Sequence, residues 1–181
     1  MAVAAELEMP GSRLGADPGE VVVEYLGQWS IRLLLATLAV STLRRLFNQP
    51  RLLRVRRMLG LFAFTYVGLH FCAYLGLLAE FDWALILEDL TERTYIIAGF
   101  LALALLIPLA ITSTNGWQRR LKLRWRNLHQ LIYPICGLAL LHLWWLTKDG
   151  YGEPIAYLLI YLILIADRLR LKWLRQRAAG V

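Results

Sequence analysis

The chain is 181 residues long, 59% hydrophobic and 18% charged, with a mean hydropathy of +0.52. An ordinary soluble domain is about half apolar and about a quarter charged, so this composition excludes a single soluble core and points to lipid as the place where the excess apolar surface is buried. The net charge of +7 would suggest nucleic acid if the basic residues formed one stripe, but they fall in clusters between apolar runs, the pattern of the positive-inside rule, and a nucleic-acid partner is set aside.

Residues 1–23 are small, acidic and punctuated by Gly and Pro, with no basic stretch leading into an apolar one. This excludes a signal peptide and predicts a non-spanning segment over 1–24. A helix is expected over about 29–46, interrupted by Arg32. The cluster Arg44, Arg45, Arg51, Arg54, Arg56 and Arg57 follows, and then MLGLFAFTYVGLHFCAYLGLLA (58–79), long enough to cross a hydrocarbon core of roughly 30 Å unaided. Residues 80–93 are acidic, and the spacing in FDWALILEDL suits either a short interfacial helix anchored by Trp83 or a solvated loop.

A third span is predicted over about 95–112. It contains Pro108, which a membrane helix tolerates where neighbours satisfy the freed carbonyl. The segment TSTNGWQRRLKLRWRN carries Arg119, Arg120, Lys122, Arg124 and Arg126 and leads into a fourth span, 128–147. After KDGYGEP a last span runs from about 154 to 166 or slightly further, and the chain ends in the basic RLRLKWLRQR. Three basic clusters hold sixteen of the 20 Lys and Arg residues, and twelve of the 13 acidic residues lie outside them, Asp167 being the exception.

Basic and non-basic connections alternate, so five spans put the N-terminus outside and the C-terminus in the cytoplasm. The expected fold is an all-α polytopic transmembrane helix bundle of about five spans, with the membrane domain over 25–177 and a tail at 178–181. Cys72 and Cys136 lie in apolar runs without CxxC spacing and are read as small packing residues.

The chemistry-bearing residues are three histidines. An ionisable group inside a membrane is expensive, which makes each a functional candidate whose partner has to be named. His129 and His142 are separated by a rise of about 19.5 Å and a rotation of about 220° on an ideal helix, and cannot share one small ion. His70 and His142, by contrast, lie at matching depth beyond their basic clusters, on helices that run in the same direction. Two imidazoles so placed can clamp one iron from both sides as a bis-histidine b-type haem. The bland alternative, an imidazole that merely hydrogen-bonds between helices, stays open.

His129 sits near the cytoplasmic surface with no histidine at matching depth on the second span, where Arg56, Arg57 or a water could be its neighbour instead. It is a candidate for a second, inner haem, a contact to a flavin or quinone, or a plain interfacial histidine. Zinc is disfavoured, because structural zinc normally takes four close ligands. Trp144 and Trp145 suit an aromatic belt better than a haem edge, and Tyr66, Phe71 and Tyr74 fit haem packing and bundle packing alike. The Arg119–Arg126 loop could hold a flavin phosphate, although topology accounts for the same arginines.

The stretches RRMLGLFAFTYVGLHFCAYL, ITSTNGWQRRLKLRWRNLHQLIYP and ALLHLWW resemble the haem-binding subunits of the protein-methionine-sulfoxide reductase system, the MsrQ family, within the ferric-reductase-like transmembrane class. The resemblance extends from about residue 15 to 177 and includes all three histidines in order. It implies a cytochrome of a Gram-negative inner membrane that passes electrons to a periplasmic molybdopterin-containing methionine-sulfoxide reductase, which repairs oxidised envelope proteins and carries the catalytic site. It further implies haem b on His70 and His142, His129 as a further candidate ligand, and FMN, with the quinone pool or a flavin reductase as electron donor. Six spans are usual in that family. The one expected ahead of GADPGE has no counterpart in residues 1–13, which implies a late start or a shortened chain, bearing on insertion and partner docking. The competing class is a cofactor-free membrane scaffold or small transporter. A self-contained ferric-chelate reductase would need a nucleotide-binding domain for which 181 residues leave no room.

Overall fold

The computed structural model describes residues 18–148 and 150–179. The expected non-spanning segment, up to residue 17, and the last two residues of the expected tail lie outside them. All regular elements among the described residues are helical. They are α1 (Pro18–Leu46), α2 (Leu52–Ala73) running into a π-helical turn (Tyr74–Leu78), α3 (Trp83–Glu92), α4 (Thr94–Ile111), α5 (Asn115–Leu121), α6 (Leu123–Leu128), a 3-10 turn (His129–Leu131), α7 (Ile132–Leu146) and α8 (Gly152–Ala179).

Three helical segments, Pro18–Leu46, Leu52–Leu78 and Thr94–Ile111, are long and apolar enough to cross a membrane on their own. α7 has 15 residues, short of the roughly 20 that a spanning helix needs, and α8 has 28 residues but carries charges toward both ends. Of the five spans expected, these three qualify by length and composition, and α7 and α8 stand where the other two were expected. Two boundaries differ from the sequence reading. α1 starts at Pro18 rather than near 29, with Pro at the first helical position where its missing N–H costs nothing. α8 continues as one helix through the basic tail.

The helices form two antiparallel pairs. α1 packs chiefly on α2, α4 chiefly on α7, with α2–α4 and α1–α7 contacts joining the pairs and α8 covering α1 and α7. Where they meet, Leu34, Leu38, Ala63, Ala102, Leu106, Ile135 and Cys136 form the core, with Ile135 and Cys136 fully enclosed. α2 buries only Ala63, and Leu61, Phe62 and Leu69 are exposed, as expected of a helix that faces lipid. Cys136 is the packing residue it was read as. Cys72 is not, because it lies on the exposed face of α2.

The three basic clusters are gathered at one end of the bundle. Arg57 donates to Asn115 at 2.5 Å and to Gln118 at 3.3 Å, which ties the first cluster to α5. Asp167, the lone acid of the basic tail, pairs with Arg45 and accepts from Thr42. Arg32, the cation that interrupts α1, donates to Tyr157 at 2.7 Å and pairs with Glu153 at 3.3 Å, both on α8, so it is bonded between helices rather than stranded in lipid.

At the other end the segment 80–93 resolves its two readings in favour of a helix. Asp82 caps α3 by accepting from the Ala84 N–H at 2.9 Å. α3 buries Ile86 and Asp89 while exposing Trp83 and Leu87. Replacing Ile135 by alanine removes an enclosed side chain and should lower the detergent-solubilised protein's stability by about 2–5 kcal/mol, read as a fall in Tm. Phe62→Ala, on the lipid face, should leave Tm nearly unchanged.

Candidate functional site

An imidazole held away from water must give its N–H to an acceptor. His70 on α2 and His142 on α7 solve this in the same way. His70 Nδ1 lies 2.8 Å from the Val23 carbonyl of α1, and His142 Nδ1 lies 2.6 Å from the Tyr95 carbonyl of α4. A carbonyl only accepts, so in each ring Nδ1 carries the proton and donates. The proton-free nitrogen of both neutral rings is therefore Nε2, and an imidazole whose other N–H is fixed by a backbone carbonyl is arranged as metal-binding histidines are.

Each carbonyl is followed, one helical turn on, by a glycine. A Cβ on Gly27 would stand 3.0 Å from His70 Cε1, and one on Gly99 would stand 2.9 Å from His142 Nδ1, so each ring occupies the space that a side chain would take. The two cradles share one spacing, with 47 residues from carbonyl to histidine in both. The glycines escaped the sequence reading, which looked for ligands and not for the space around them. The equal spacing of Gly27 to His70 and of Gly99 to His142 was the available signal.

The cradles bring the two imidazoles together, with ring centroids 6.1 Å apart and planes at 85°. Among the described residues no three of His, Cys, Asp and Glu cluster; the site presents two imidazoles, each with a proton-free Nε2, between four helices. Phe71 and Phe100, the neighbours of His70 and Gly99 in sequence, meet at 6.3 Å and join α2 to α4. Trp144 lies instead against Tyr151, and Trp145 is exposed.

His129 does not join them. It opens the 3-10 turn at the basic end, stacks on Trp125 at 4.0 Å and places Nε2 at 3.1 Å from Thr112 Oγ1. The Thr112 hydroxyl has one proton, and the Pro108 carbonyl at 2.6 Å takes it. The hydroxyl oxygen therefore accepts from His129 Nε2–H, and the free nitrogen of His129 is Nδ1, the opposite tautomer to the other pair. His129 lines a cavity of about 240 Å³ with Arg56, Arg57, Gln118 and Trp125 at its polar side and Phe64, Leu106 and Ile132 at its apolar side.

Residues 26–140 match the ferric reductase like transmembrane component family. Among curated relatives, a protein-methionine-sulfoxide reductase heme-binding subunit MsrQ of Xanthomonas campestris pv. campestris (strain 8004) is 52% identical over 155 residues, 86% of this chain and 71% of the relative. The protein of the same name from Caulobacter vibrioides is 42% identical over 168 residues, 92% of this chain and 79% of that one. No solved structure matches the chain.

The cradles make a discriminating stability test. Gly27→Ala and Gly99→Ala should each cost about 1–3 kcal/mol, as small-to-large changes in packed sites do. Gly68→Ala, where a Cβ would meet nothing within 4 Å, should be neutral or stabilising by up to about 1 kcal/mol through helix propensity. Thermal melts of the three variants in detergent decide it.

Proposed function

Because the chain belongs to the protein-methionine-sulfoxide reductase haem-binding subunits of the ferric-reductase-like transmembrane class, we propose that it carries electrons through the membrane by way of a b-type haem held between His70 and His142. The observation that carries this reading is the facing pair of imidazoles with both Nδ1–H groups given to backbone carbonyls. Bound there, haem would supply one-electron chemistry at iron, its potential governed by axial ligands, burial and neighbouring hydrogen bonds. His70 and His142 would hold the iron, the Val23 and Tyr95 carbonyls would fix their tautomers, and Gly27 and Gly99 would leave the rings room.

In this reading the basic end faces the cytoplasm of a bacterial inner membrane, on the strength of the clustered arginines. His129, Arg56, Arg57 and Gln118 line the inward cavity; Arg56, Arg57 and Gln118 offer hydrogen-bond donors to the oxygens of an electron donor, a quinone or a flavin such as FMN, and His129 Nδ1 offers an acceptor. Ligation of a second haem by His129 through Nε2 would break its hydrogen bond to Thr112. The acidic end faces a periplasmic partner, a molybdopterin-containing methionine-sulfoxide reductase that carries the catalytic site.

The test is a reduced-minus-oxidised visible spectrum of detergent-purified protein. We expect a b-type band in the wild type that is lost in His70→Ala and His142→Ala. In His129→Ala the band should remain, with slower reduction by a quinol or reduced flavin. Well-folded wild-type protein without a haem band would overturn the reading in favour of a membrane scaffold or transporter whose histidines bridge helices.

A further inference from the structure

Among the described residues, Asp89 is the one charged side chain that is fully buried, at 3% exposure. A buried carboxylate costs several kcal/mol unless paired and hydrogen-bonded, and anchoring a ten-residue surface helix does not require one. Its partners lead to both histidines. Asp89 Oδ2 accepts from the Tyr74 hydroxyl at 2.7 Å, and Tyr74 opens the π-helical turn one turn after His70. Asp89 Oδ1 is 2.9 Å from Arg93 Nε. Arg93 Nη1 donates in turn to the Tyr95 hydroxyl at 3.3 Å, and the Tyr95 carbonyl takes the His142 Nδ1–H at 2.6 Å.

The backbone around this chain of contacts is specialised. Single π-helical turns are rare and gather at functional sites. Here the turn is followed by Glu80 and Phe81 with φ of 46° and 58°, a left-handed conformation that non-glycine residues seldom adopt. Together the turn and the two left-handed residues swing the chain back over the end of α2, so that α3 delivers Asp89 to Tyr74.

We propose that Asp89 and Arg93 are positioning residues that lock the two histidine-bearing pairs together at the acidic end and keep the electrostatic potential at the site near neutral. The inference rests on the haem reading above. Asp89 joins the π-helical end of the His70 helix to the junction from which α4 presents its carbonyl to His142. The ion pair carries no net charge. Removing the carboxylate leaves the Arg93 cation unbalanced, which favours the more negatively charged reduced state and raises the midpoint potential. Removing the cation as well restores the balance.

The experiment is a potentiometric titration, followed by haem absorbance, of full-length detergent-purified wild type, Asp89→Asn and Asp89→Asn/Arg93→Gln. We expect undiminished haem content, a raised potential in the single variant and a return toward wild type in the double variant. An unchanged potential in Asp89→Asn, or a double variant that moves further from wild type, would overturn the proposal. Should Asp89→Asn not fold, Arg93→Gln, which leaves the carboxylate without its cation, is expected to lower the potential, and no lowering overturns the proposal equally. A wild type without haem would instead refute the cytochrome reading.

Discussion

The pairing of His70 with His142 depends on where a half-buried imidazole can put its proton. Left unpaired, that N–H would cost about 1–3 kcal/mol, and a helical bundle offers few acceptors besides backbone carbonyls that already serve their own helix. Each carbonyl has a second lone pair, but the side chains of the next turn normally crowd it. Glycine one turn after Val23 and after Tyr95 clears that approach. The antiparallel pairing of α1 with α2 and of α4 with α7 then follows as the arrangement that brings each carbonyl to its histidine, and the meeting of the two pairs sets the 6.1 Å between the rings.

The same economy governs the charges. Arg32 is tied to Tyr157 and Glu153, Asp167 to Arg45 and Thr42, and Asp89 to Tyr74 and Arg93. In each case the ionised group is bonded to a different segment of the chain, so charges that would be costly in lipid become crosslinks. The first two attach α8 to α1 near opposite ends, and the third closes the acidic end over the histidines.

Much of this was legible in the residues. Uninterrupted apolar runs and the arginine clusters between them gave the helices and the basic end, because length and charge are local properties. Depth counted from those clusters paired His70 with His142 and set His129 apart. What escaped depends on contacts between distant segments. Glu20 and Glu24 made the start of α1 look too polar for a membrane helix, yet its first turns carry the Val23 carbonyl. Cys72 and Cys136 both sit in apolar runs, and only packing decides that one faces outward. The role of Asp89 could not be seen in an acidic stretch that reads as a solvated surface. The hydrogen bond from His129 to Thr112, which gives that residue the opposite tautomer to the other two, joins residues seventeen apart and has no local signature.

The repeated cradle also bears on biogenesis. One half-site is complete once α1 and α2 have paired, the other once α4 and α7 have, and neither half has both nitrogens. Each pair can insert and fold with its histidine already satisfied by a carbonyl, so neither has to wait for a prosthetic group to hide a polar ring from lipid. On the haem reading proposed above, capture would become possible only when the halves dock, which would make occupancy of the site a record of completed assembly rather than a condition for starting it.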